Sequence, residues 1–110
     1  MSDVEGTYIA KRIKTIFNIK TQTIDEYLDD IKYEIIKIYD SQYLMKQTNL
    51  VSGSVVNLMF FKSNKGYLSS SDNGIDNMFY NKCGELVHNW SIPIDSDNKL
   101  VNSHSILYKI

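Results

Sequence analysis

The sequence predicts an α+β domain, two N-terminal helices followed by an antiparallel sheet of about five to six strands, a meander free to curve strongly. Three observations predict it. Apolar residues recur at spacings of three and four through roughly the first forty positions. Short apolar runs broken by turn residues fill the remainder. The whole length, 110 residues, suits one domain with one core, residues 1–110.

Composition narrows the class. Hydrophobic residues at 43% and charged residues at 23% are the proportions of a folded domain, so a disordered or fibrous chain is not expected. A single cysteine, Cys83, can form no internal disulfide and no cysteine-based zinc site, which points to a reducing, cytoplasmic home. No apolar run approaches the ~20 residues of a membrane-crossing helix, and Met1-Ser2-Asp3-Val4-Glu5 lacks the basic start of a signal peptide, so no membrane is expected. The net charge of -1 provides no field that would gather nucleic acid or anionic lipid.

The first helix is expected from about Thr7 to Ile19, with Ile9, Ile13, Ile16 and Phe17 on one side and Lys11 and Lys14 pointing away. The second is expected from Thr23 to about Tyr39 or Gln42. Thr23 and Glu26 have the spacing of a capping box, and Ile24, Tyr27, Leu28, Ile31, Ile35 and Ile38 form a core-facing stripe. Its acids precede its lysines, the order that the helix dipole favours.

After residue 42 the grammar is that of hairpins. Expected strands cover Leu44 to Val51, Val55 to Phe61, Tyr67 to Ser71, Ile75 to Lys82, Leu86 to Ile92 and Leu100 to Ile110. Turns at Ser52-Gly53-Ser54, Ser63-Asn64-Lys65-Gly66, Asp72-Asn73-Gly74 and Lys82-Cys83-Gly84, and a polar loop from Asp95 to Lys99, separate them. Pro93 cannot donate to a ladder, so the Leu86 strand should end or reach an edge there. The segment from Tyr80 to Val87 resembles one unit of the tyrosine-aspartate repeats of large bacterial toxin shells, but it stands alone and reads as hairpin chemistry.

Few chemical motifs survive inspection. Both expected helices precede the glycine turns, so no phosphate-cradling strand-turn-helix can be assembled, and no cofactor is implied. His88, His104 and Cys83 match no zinc spacing, so no metal site is assigned. The enzyme reading would need His88 and His104 to face each other as general acid and base, with Tyr108 or Lys109 steadying charge. Against it, His88 shares its face with Leu86 and Trp90, where a satisfied core histidine is commoner, and no catalytic residue is assigned. Lys11, Arg12, Lys14 and Lys20 form a basic run without interleaved aromatics, better read as a solvated face complementing the acidic second helix than as a nucleic-acid site.

One surface stands out. With its isoleucines turned inward, the second helix would expose Tyr33 among Glu26, Asp29, Asp30 and Asp40, with Ile36 at the flank. Tyrosine is enriched at binding hot spots, and carboxylates would steer a basic partner. In style such a surface is similar to those of bacterial toxin-immunity proteins and small phage inhibitors. The expectation is therefore a non-catalytic inhibitor or immunity-type protein, from a phage or mobile element, that occludes a basic effector protein through Glu26, Asp29, Asp30, Tyr33, Ile36 and Asp40. Self-association through the same face is another form of this expectation, with repulsion between acidic faces counting against it. A histidine-dependent hydrolase or nuclease, and a small-molecule site near Trp90, are the alternatives.

Overall fold

The computed structural model describes residues 4–64, 66–71, 74–92 and 98–110. It contains eight strands and, among the described residues, no helix: β1 (Gly6–Asn18), β2 (Thr23–Tyr39), β3 (Gln42–Asn49), β4 (Val55–Ser63), β5 (Gly66–Ser71), β6 (Gly74–Tyr80), β7 (Leu86–Ile92) and β8 (Lys99–Lys109). Each strand pairs with its sequence neighbours, and β8 returns to pair with β1, which makes a closed antiparallel up-and-down barrel. The expected α+β architecture is thus corrected to all-β.

The two expected helices are the long hairpin β1–β2. Their three-and-four spacing coexists with a two-residue alternation that the closed sheet uses instead. Ile31, Tyr33 and Ile35 point inward and are buried, while Lys32 and Glu34 between them form an ion pair on the outside. The β-branched and aromatic content of Thr23–Tyr39 suits a pleated surface better than a helix. Thr23 and Glu26 cap nothing, since they pair with Asn18 and Thr15 of β1. The stripe assigned to the core is largely outside, with Ile24 66% and Leu28 64% exposed. Asn18 turns the chain without glycine or proline, its side-chain oxygen accepting from the amides of Lys20 and Thr21, and Gln22 adopts a left-handed φ of 56°.

From Gln42 onward the strands fall close to where the hairpin pattern puts them. At Asn81 the side-chain oxygen accepts from the amides of Cys83 and Glu85, so the repeat-like segment is an ordinary β6–β7 turn. Met1 to Asp3, Lys65 of the expected Ser63–Gly66 turn, Asp72-Asn73, Pro93 and the start of the polar loop at Asp95 lie outside the described residues.

Closure sends one side-chain parity inward and removes sheet edges along most of the barrel. The inward set is apolar at the end where β1 begins: Tyr8, Tyr43, Tyr67, Leu86 and Leu107, with Val4 folded across and its carbonyl accepting from the Tyr8 hydroxyl at 2.8 Å. Phe60, Met45, Ile35 and Ile31 fill the middle. Toward the other end the inward residues become polar, a change of character that marks the site.

Candidate ligand-binding site in the barrel mouth

Alternation decides which polar groups enter the barrel. On β7, Leu86 and His88 face inward; on β6, Asp76 and Met78; on β8, Ser103, Ser105 and Leu107. The pairings Asp76 with Trp90 and Trp90 with Ser103 bring β6, β7 and β8 side by side at the polar end. A hydrogen-bonded chain crosses the interior. The Tyr33 hydroxyl lies 2.9 Å from His88 Nδ1, and His88 Nε2 lies 2.8 Å from Asp76 Oδ1. An imidazole protonated at Nε2 satisfies both bonds, accepting from the phenol and donating to the carboxylate. The edges and faces of Tyr33 and Phe60 meet the imidazole at ring separations of 5.6 and 5.8 Å. His88 is therefore a locked core histidine with two partners.

Above this chain lies a cavity of about 180 Å³, lined by Arg12, Lys14, Gln47, Val56, Leu58, Asp76, His88, Trp90 and Ser103. The Arg12 guanidinium is held by Asp29 at 2.9 Å across the β1–β2 ladder. The charge complementarity expected between two helices is realised between two strands. That bond, more than any other influence, keeps the Asp29 carboxyl below the usual carboxylate range, with the Arg12 and Lys14 charges adding to it against the opposing effect of burial. Two buried polar atoms on the lining residues have no hydrogen-bond partner among the described residues: Asp76 Oδ2, an acceptor, and Arg12 Nε, a donor. Buried groups of this kind ordinarily find partners.

The residues expected to form a partner surface are dispersed. Tyr33 is 0% exposed inside the barrel, where burial pushes its phenol up to about 12 against weaker downward pulls from Ser105 and Arg12. Asp29 is engaged by Arg12, Glu26 and Asp30 lie on the exposed overhang of β2, Ile36 faces outward beside β3, and Asp40 sits at the β2–β3 turn. The strand pleat, unlike a helix, cannot gather these six on one face, because Tyr33 and its odd-numbered neighbours point in while Ile36 points out.

The two histidines are also separated. His88 opposes Ser105 and His104 opposes Asn89, so they occupy adjacent strands but opposite faces, and His104 Nδ1 is bonded to Asn89 on the outside. Sequence reasoning missed Asp76, Arg12 and Lys14 as cavity residues. The signal for Asp76 was an acid at an inward parity of a strand, two residues from Met78. Trp90 was correctly placed on the His88 face.

No protein-family model, curated protein or solved structure matches the chain.

Proposed function

We propose that the protein is a small-molecule-binding barrel whose ligand enters the polar end and rests on the Trp90 wall. The carrying observation is the partly open cavity, which joins apolar wall from Val56, Leu58 and Trp90 to a few converging polar groups, the usual composition of a ligand site. Eight-stranded barrels have an interior just large enough to be filled by side chains or to hold one small ligand. Here the lower half follows the first course and the upper half the second. Architecture alone would not support the reading, since a fold hosts many functions. At about 180 Å³ the space suits one ring-sized molecule, the scale at which a cavity of about 150 Å³ accepts benzene, and excludes a long lipid.

Catalysis by the Tyr33–His88–Asp76 chain is the weaker explanation. An activated phenol needs a lowered pKa, and burial moves that of Tyr33 the other way, to about 12. Both imidazole nitrogens are occupied within the chain, which leaves His88 no free position for a substrate proton.

A fragment library screened by amide chemical shifts tests the proposal. Binders should move Lys14, Gln47, Trp90 and Ser103 together and quench Trp90, the sole tryptophan. Leu58→Phe, which narrows the cavity and keeps Trp90 the sole tryptophan, should weaken both effects without unfolding the barrel. Shifts confined to the outer face would remove the reading.

A second reading retains one observation. Thr23 to Asp29 of β2 pair with β1 but have no β3 partner; Asp30 closes this open stretch, its carbonyl accepting from the Leu50 amide at 2.9 Å, and the β2–β3 ladder begins at Ile31. This exposed edge carries Asp25, Glu26 and Asp30, and could receive an extended basic segment of the effector protein by strand addition. Charged side chains are also how barrels keep such edges unpaired. Salt-dependent capture of a lysine-rich peptide, lost in the Glu26→Lys and Asp30→Lys double variant, would support an interface; salt-independent or absent capture would dismiss it.

A further inference from the structure

The ligand's chemistry can be read from the two unmatched atoms in the cavity lining, an inference that rests on the ligand-binding reading. Asp76 is 1% exposed, and one carboxylate oxygen is spent on His88 while Oδ2 has no partner. Arg12 spends a terminal nitrogen on Asp29 while Nε has none. One unmatched atom asks for a donor and the other for an acceptor.

Charge adds a second constraint. Arg12 and Lys14 line the cavity as cations, Asp76 lines it as an anion, and Asp29 faces Arg12 from β2. With a neutral His88 these charges cancel. A simple anion would answer Arg12 and Lys14 but leave Asp76 Oδ2 unmet and bring a like charge towards it. A simple cation would do the reverse. Leaving one such group unmet costs about a factor of ten in affinity.

Position adds a third. Arg12 is on β1 and Asp76 on β6, three strands apart around the barrel through β8 and β7. Adjacent polar groups on one carbon would not serve both walls.

We propose that the cavity takes a compact amphoteric molecule: a ring-sized apolar body with a carboxylate directed to Arg12 and Lys14 and an amine, at a separate point, directed to Asp76. The ring rests against Val56, Leu58 and Trp90. The carboxylate and amine replace the water that each group would otherwise hold.

Titration of Trp90 fluorescence and amide shifts with three probes tests this: 4-(aminomethyl)benzoate, benzoate and benzylamine. The first should bind about ten-fold more tightly than either of the others. In Asp76→Asn an amide oxygen can still accept from His88 while the unmatched acceptor becomes a donor. The amphoteric probe should then lose its advantage over benzoate. Lys14→Gln, at a half-buried position away from the buried chain, should weaken benzoate and 4-(aminomethyl)benzoate by several-fold and leave benzylamine unchanged. It decides the matter if Asp76→Asn does not fold. If benzoate or benzylamine binds within about twofold of the amphoteric probe, the ligand class is wrong while the cavity reading stands. If none of the three perturbs the cavity at ~10 mM, both fail, and the unmatched atoms are served by water.

Discussion

The Tyr33 hydroxyl and His88 Nδ1 lie 2.9 Å apart across the barrel interior, joining β2 to β7, strands that share no ladder. This bond, with its extension to Asp76, ties opposite walls where the apolar core gives way to the cavity. It also fixes the orientation of the imidazole beneath any ligand.

Removing the phenol oxygen tests what the chain contributes. Tyr33→Phe keeps the ring contacts but leaves a buried imidazole nitrogen without its donor, and should cost about 1–3 kcal/mol. The urea midpoint at neutral pH reads the loss. An unchanged midpoint would mean that the nitrogen finds another partner.

Alkaline stability follows from the same residue. The folded phenol, at about 12, lies above the ordinary tyrosine value of about 10, so the neutral form is the one the fold favours. Its contribution is complete below pH 10 and is lost as pH rises from 10 through 12, when the unfolded chain ionises first; a shift of this size corresponds to roughly 3 kcal/mol. Thermal melts of wild type and Tyr33→Phe should converge over that window, because the phenylalanine variant lacks this titration. Parallel curves would contradict the buried assignment.

At the acid end Asp29 acts in the opposite sense. Arg12 holds the folded carboxyl below its usual range, so the pair stabilises above the unfolded pKa and the effect disappears as pH falls through the lowered value. Arg12→Gln should cost less than ~1 kcal/mol at neutral pH, because the pair is part-exposed. It should also flatten the acid limb of the stability profile, measured by melts from pH 6 downward to about 3.

Gly66 should tolerate no side chain. Its φ is +140°, and an added Cβ would stand 2.6 Å from the Met78 carbonyl oxygen at the β5–β6 approach. Gly53, with φ +77°, faces open space. Gly66→Ala should therefore lower the melting temperature by clearly more than Gly53→Ala, for which left-handed strain of roughly 1–2 kcal/mol is the whole cost. Equal shifts would show that the β5–β6 approach can relax.

The misreading of Thr23 to Tyr39 has a physical origin. Isoleucines on both strand faces produce three-and-four spacings by coincidence, since Ile24 and Ile38 point outward while Ile31 and Ile35 point inward. The Ile31-Lys32-Tyr33-Glu34-Ile35 alternation was the better signal, and it puts the phenol inside. Acidic residues at the start of the segment looked like dipole complementation, whereas one, Asp29, answers Arg12 on the neighbouring strand. The cavity was less legible still. Arg12 and Asp76 are far apart in sequence and on different hairpins, and no local pattern indicates that closure will face them into one space.

What the sequence determined by itself was local: where the later hairpins turn, which strand residues share the face of His88 and Trp90, and that β7 would bury a histidine. These follow from backbone chemistry at asparagine and glycine and from the two-residue pleat. The pairing of β1 with β8 was decided by the tertiary structure alone, and with it the barrel, the burial of Tyr33 and the meeting of Asp76 with His88. Closure is a non-local contact between the two ends of the chain, and neither end carries a mark of it until the other is in place.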